Sequence, residues 1–226
     1  MSLNLSSSTA SVYNSPPFTG SSPDELVQYI QSLWNNFECA TTSFPNYNEE
    51  KNWDVYLLYK DVVGHYSMLF LLPGHNKGFL VHLLVFMEAN TERPQFVLKY
   101  VELDDLRIKC PSLKALSLGT TLLLTATHII TEAHGILLEN MEYYNLVIHN
   151  CQNYCKLIAK KIGVSTRFNN FMQVVFAELF QAFGAGPHVI GAISSSTPVS
   201  LESPSSDSTL IMTIDGLYEK YCARQN

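Results

Sequence analysis

Two hydrophobic periods alternate along the chain from Ser22 onward. Ser22-Pro23-Asp24-Glu25 is a capping box, with serine at the cap, proline at the first helical position and glutamate three residues after the cap. Leu26, Ile30, Leu33 and Phe37 follow at the spacing of one helix face. A polar stretch, 41–52, reads as a loop, and the period then drops to that of strands. WDVYLLYK (53–60), HYSMLFLL (65–72), FLVHLLVF (79–86) and FVLKYVEL (96–103) predict four strands, the second and third joined by the turn PGHNKG (73–78). Those two are nearly apolar on both faces, as central strands covered by helices are. The fourth alternates, which predicts one face toward solvent.

The helical period returns at 120–139, where Leu122, Ala126, Ile129, Ala133 and Leu137 form the stripe expected to be buried. After YYNLVIHN comes CQNYCKLIAKKIG, with Leu157, Ile158 and Ile162 at helical spacing, Lys160 and Lys161 in the last turn and Gly163 past its end. Asn150 is the expected N-cap, so Cys151 opens this helix. Helix, strands, helix, helix make an α+β domain. Its expected limits are 23–165, followed by an apolar helical segment at 166–193, a Ser/Pro linker at 194–208 and a short helix at 209–226. No internal repeat is apparent.

Composition sharpens these limits. Residues 1–22 hold eight serines and no charge, and 194–208 hold eight more serines with two prolines, which predicts a disordered tail and a linker. The chain is 46% hydrophobic and only 15% charged, enough apolar material for one core and too little charge for a wholly disordered protein. With 14 Lys+Arg against 20 Asp+Glu it has no basic stripe, and nucleic acid is not an expected partner. Five cysteines without framework spacing, behind an N-terminus lacking a basic and then apolar leader, predict free thiols and a cytoplasmic location. Gln173, Glu178, Gln181, Pro187 and His188 interrupt the apolar run at 171–193. That run is expected to dock or to touch a membrane peripherally rather than to span one.

Residues 62–87 contain a single charged side chain, Lys77, yet three of the seven histidines, His65 and His82 in the two central strands and His75 in the turn between them. A thiol at a helix start is favoured as thiolate by the helix dipole and the open N–H groups, and a neighbouring imidazole favours it further. Cys151 is therefore the candidate nucleophile, His65 its base and His82 the group orienting that base. Both histidines are expected on the sheet face packed against the Cys151 helix. A hairpin symmetric about 73–78 pairs His65 with Phe86 and leaves His82 several residues away, unless the loop is asymmetric near Gly78. The backbone N–H of Gln152, with Asn150 beside it, is the expected oxyanion site. His149, Cys151 and Cys155 fall short of the four ligands that structural zinc takes, so neither metal nor cofactor is expected. His75, His128 and His134 read as solvated or packed, and Trp34 and Trp53 as core anchors.

GHYSMLFLL, FLVHLL and YNLVIHNCQNYCKLIAKKIG together resemble the circularly permuted papain-like fold, in which histidine-bearing strands precede the cysteine helix. The paired strand histidines resemble the lecithin:retinol acyltransferase-like, NlpC-related branch, whereas YNLVIHNCQNYC is similar to the PPPDE isopeptidase motif. The resemblance covers roughly residues 53–163. It implies a central antiparallel sheet packed on the cysteine helix and a thiol acyltransferase or hydrolase. The implied substrate is a lipid acyl group in the first branch and a ubiquitin-like protein conjugate in the second. A non-catalytic interaction module of the same fold is the competing expectation.

Overall fold

The computed structural model describes residues 18–20, 22–40, 46–60, 64–88, 91–140, 150–170 and 211–222. The elements run α1 (Pro23–Ala40), β1 (Asp54–Tyr59), β2 (Tyr66–Leu71), β3 (Lys77–Glu88), β4 (Thr91–Glu102), α2 (Leu103–Lys109), β5 (Lys114–Thr120), α3 (Ala126–Asn140), α4 (Cys151–Lys161), β6 (Ile211–Thr213) and α5 (Ile214–Cys222). The fold is α+β, with a six-stranded antiparallel sheet in the order β4-β3-β2-β1-β5-β6. Residues 171–210, with the expected linker and all of the expected apolar helix beyond residue 170, and the serine-rich residues 1–17 lie outside the described residues. Among the described residues no helix is long and apolar enough to cross a membrane.

Local signals hold where they are self-contained. Ser22 N–H donates to Glu25 Oε2 at 3.0 Å and Glu25 N–H to Ser22 Oγ at 3.2 Å, the reciprocal bonds of a capping box. Leu26, Ile30 and Trp34 carry the buried stripe of α1, and the side chain of Phe37 lies outside the described residues.

The sheet buries apolar side chains on both faces because its strands alternate with period two. On the first face Val55, Leu57, Tyr66, Met68, Phe70, Phe79 and Val81 pack under α1, α3 and α4. Phe70 and Phe79 stack at 4.8 Å, and Trp53 and Trp34 close on Phe79 at 5.0 and 5.7 Å. On the second face Tyr56, Leu58, Leu69, Leu71 and Leu80 pack under α2 and α5.

Three elements depart from the sequence pattern. The long helix begins at Ala126 rather than near 120, since Lys114–Thr120 pairs with β1 as β5. Leu122 is consequently 84% exposed, outside the buried stripe expected of it. Residues 103–109, of which only Leu103 falls within an expected strand, form the short helix α2. Finally, 211–213 adds the sheet's sixth strand ahead of the C-terminal helix.

A polar latch ties that helix to the sheet. Tyr221 donates to Asp54 Oδ2 at 2.6 Å and meets the Tyr56 hydroxyl at 3.1 Å, while Lys220 Nζ donates to Tyr56 Oη at 2.6 Å. Thr120 Oγ1 holds the other Asp54 oxygen at 2.6 Å. Burial, then the bonds to Asp54 and Tyr56, raise the Tyr221 phenol far above its usual range.

The β2–β3 hairpin is asymmetric. Leu71 lies opposite Gly78 and Ser67 opposite His82, two residues out of step with a hairpin centred on 73–78. Gly78 fits there because a Cβ would sit 2.0 Å from the Phe70 carbonyl oxygen. Gly78→Ala is expected to destabilise the protein by about 1–3 kcal/mol through this overpacking, measured by urea unfolding. Tyr221→Phe should remove about 1–3 kcal/mol by leaving Asp54 short of its donor and speed proteolysis within α5.

Candidate functional site

Asn150 caps α4 as its sequence position requires, its Oδ1 accepting from Asn153 N–H at 2.9 Å. Cys151 is thereby fixed in the first turn, where N–H groups lack intrahelical acceptors. Tyr154 Oη donates to the Ala133 carbonyl at 2.9 Å and seats α4 on α3. The Cys151 side chain is buried, 5% exposed, against the strand end just before β2. Its sulfur accepts from Tyr66 N–H at 3.4 Å and faces the Gly64 carbonyl at 4.0 Å. Those two backbone groups flank His65 on either side.

His65 Nε2 lies 3.2 Å from His82 Nδ1, with the rings edge-on at 86°. The asymmetric register accounts for the meeting. Opposite His82 stands Ser67, so His65 is its diagonal neighbour on the same face, a separation that large side chains bridge. The pairing of His65 with Phe86 expected from a symmetric hairpin does not occur.

The face expected for the histidines is wrong. Strand alternation gives His82 the side of Leu80, which packs under α2 and α5, not the side of Phe79 and Val81 under α4. The thiol and the imidazole pair thus belong to opposite sheet faces. The sulfur reaches only the backbone beside His65 at the end of β2, where the α4 N-terminus meets residues 64–66.

Both imidazoles are held neutral. Burial lowers His65 from 6.5 to about 4. For His82, burial comes first among the causes of a strong lowering, followed by repulsion from His65 and Lys99. At neutral pH the pair can accept a proton, and the thiol faces two kinds of donor suited to a thiolate, the Tyr66 amide and the helix N-terminus. Cys155, one turn along α4, is fully buried and its thiol is pushed well up by burial and then by Cys151.

Of the expected site residues, His65 and His82 meet each other, while Cys151 meets the backbone of Gly64 and Tyr66 on either side of His65. Asn150 spends its side-chain oxygen on the helix cap, and Gln152 occupies the first turn beside the sulfur. His149 lies outside the described residues. His134 packs edge-on against Phe18 and Phe96 as a core residue. Sequence reasoning missed the Tyr66 N–H, since a backbone donor leaves no mark in composition or spacing. Among the described residues no group of three His, Cys, Asp or Glu is placed to hold a metal ion.

The chain matches no protein-family model, no curated protein and no solved structure.

The unfolded chain binds protons near pH 6.5 that these buried imidazoles refuse until about pH 4 at His65. Their contribution to stability is therefore full above pH 6.5 and lost as pH falls toward 4, about 1.4 kcal/mol per pH unit for a single fully shifted group. Urea unfolding between pH 7 and 4.5 should show this slope, and His82→Phe should flatten it. An unchanged slope in that variant would remove His82 from the account.

Proposed function

We propose that the protein is a cysteine-dependent acyltransferase or hydrolase working through an acyl-thioester. One observation carries this reading: the Cys151 sulfur sits at a helix N-terminus, against the backbone on both sides of His65, whose imidazole is paired with His82. Neither imidazole needs to shed a proton first, because burial keeps both neutral at pH 7.

The reaction follows from the tautomer. With its hydrogen on Nε2, His65 donates to His82 Nδ1 and presents Nδ1 as the acceptor for the thiol proton. The thiolate attacks the carbonyl of an ester or amide, and the oxyanion is met by first-turn N–H groups such as that of Gln152. Collapse of the tetrahedral species breaks the bond to the leaving alcohol or amine, which takes the proton from His65. Water or an acceptor amine or alcohol, deprotonated by His65, then attacks the thioester and returns the thiol.

The paired strand histidines favour the acyltransferase-like branch of the permuted papain-like fold, hence a lipid acyl group as substrate and peripheral membrane contact through 171–193. A PPPDE-like isopeptidase acting on ubiquitin-like conjugates rests on the YNLVIHNCQNYC motif. The small exposure of Cys151 favours a third reading, a non-catalytic interaction module.

An electrophilic acyl probe should label Cys151, and Cys151→Ala should abolish labelling and lower turnover by at least ~10³-fold with unchanged circular dichroism. His65→Ala should lower it ~10²–10⁴-fold. Released fatty acid from phosphatidylcholine vesicles supports the lipid reading, and a cleaved tail from a ubiquitin-like conjugate supports the isopeptidase. Equal labelling of Cys151→Ala and wild type would refute the enzyme.

A further inference from the structure

The surroundings of His82 are fixed by register. Ser67 and Val97 stand directly opposite it on β2 and β4. Its diagonal neighbours are His65 and Leu69 on β2, and Gln95 and Lys99 on β4. Alternation places all of these side chains on one sheet face. His82 uses Nδ1 toward β2, where it meets His65. Nε2, on the far side of the ring from that contact, is buried.

On β4 the three neighbours differ in kind. Val97 offers no polar atom. The Lys99 ammonium has only donors, and its repulsion is among the influences lowering His82. Gln95 has a carbonyl oxygen, and that Oε1 is buried with no hydrogen-bond partner among the described residues. A buried acceptor left in that condition costs about 1–3 kcal/mol, which a nearby N–H would recover. At the diagonal spacing of roughly 7–8 Å between backbones, a turn of the amide or one bridging water would join it to His82.

We propose that Gln95 is a positioning residue for the reaction, accepting from His82 Nε2–H and so completing a row His65–His82–Gln95 across β2, β3 and β4. Its action is on the tautomer. With Nε2 of His82 committed as donor, Nδ1 is obliged to accept from His65 Nε2–H, and His65 Nδ1 becomes the atom that takes the thiol proton. Gln95 touches no reacting atom. The inference rests on the reading of Cys151 and His65 as nucleophile and base, but its first readout does not require turnover.

Ring nitrogen chemical shifts of His82, taken by NMR on the full chain, should show the hydrogen on Nε2 in the wild type. Gln95→Leu should mix the tautomers, while Gln95→Glu should keep the hydrogen on Nε2. The rate of iodoacetamide alkylation, followed at the Cys151 peptide across pH, is the second readout. The charged or titratable neighbours of His82 in this experiment are His65 on β2 and Lys99 on β4, the latter itself influenced by Lys109 and Asp105 of α2.

Gln95→Leu should move the alkylation midpoint up by about half a pH unit or more, since the imidazolium–thiolate pair loses its support. Gln95→Glu should move it down, because a carboxylate behind the imidazoles favours their protonation. A purely structural role would shift neither the tautomer nor the two midpoints in opposite directions. Unchanged shifts and midpoints in both variants, with wild-type circular dichroism, would overturn the proposal. Should Gln95→Leu not fold, the isosteric Gln95→Glu decides alone. Turnover that needs Cys151 but ignores both substitutions removes Gln95 and leaves the enzyme. His82 signals that respond in a protein without Cys151-dependent turnover keep Gln95 and remove the enzyme.

Discussion

The hydrogen-bond register between β2 and β3 is the constraint on which the site depends. Side chains in a strand repeat every two residues, so a slip of one would carry His82 to the other face of the sheet and out of reach of His65. A slip of two to the symmetric hairpin would keep the face but set His82 opposite Leu69, away from His65. The observed pairing of Leu71 with Gly78 avoids both, and it rests on the absence of a side chain at Gly78 beside the Phe70 carbonyl. The stack of Phe70 on Phe79 locks the same register from the first face, under Trp34 and Trp53. A core contact and a missing methyl group thereby fix the meeting of two imidazoles several residues away.

The thiol arrives by a separate route. Asn150 sets where α4 begins, Tyr154 seats the helix on α3, and the sulfur ends against Gly64 and Tyr66. Two layers of the fold, one on each face of the sheet, converge at one strand end. Such an arrangement places His82 on a strand and Cys151 on a helix, with His65 one residue ahead of β2. It also buries them, which explains why both histidines stay neutral.

Much of this was legible in the sequence where the determining forces are local. The bonds between Ser22 and Glu25 span three residues, and Asn150 to Asn153 another three, so the pattern of letters contains them whole. Cys151 at a helix start and the two strand histidines were legible as candidates, and the His65–His82 contact follows from the register. The face of the histidines was not, because it depends on which side of the sheet each helix takes. Lys114–Thr120 escaped notice because the apolar run continues through Leu122, Leu123 and Leu124 at a spacing that also fits a helix. Only pairing with β1 ends the strand there. The short α2 follows β4 without a break, and nothing local separates Leu103 from the strand before it. Gln95 falls just before the strand that the sequence pattern predicts, and only the register sets it diagonal to His82.

The latch between α5 and the sheet bears on the order of events during synthesis. β5 is complete at Thr120, but its partner β6 begins at Ile211, about 90 residues later. At translation speeds of about 5–20 residues per second, that is roughly 5–18 seconds. Throughout this interval one edge of the sheet presents unpaired backbone groups, and Tyr56, Leu58 and Asp54 lack the cover of Ile214, Leu217 and Tyr221. An exposed edge beside an apolar face is a template for pairing with another chain. The nascent protein therefore passes through a sticky stage that the finished one does not have, and a chaperone acting on it would find its work between those two strands.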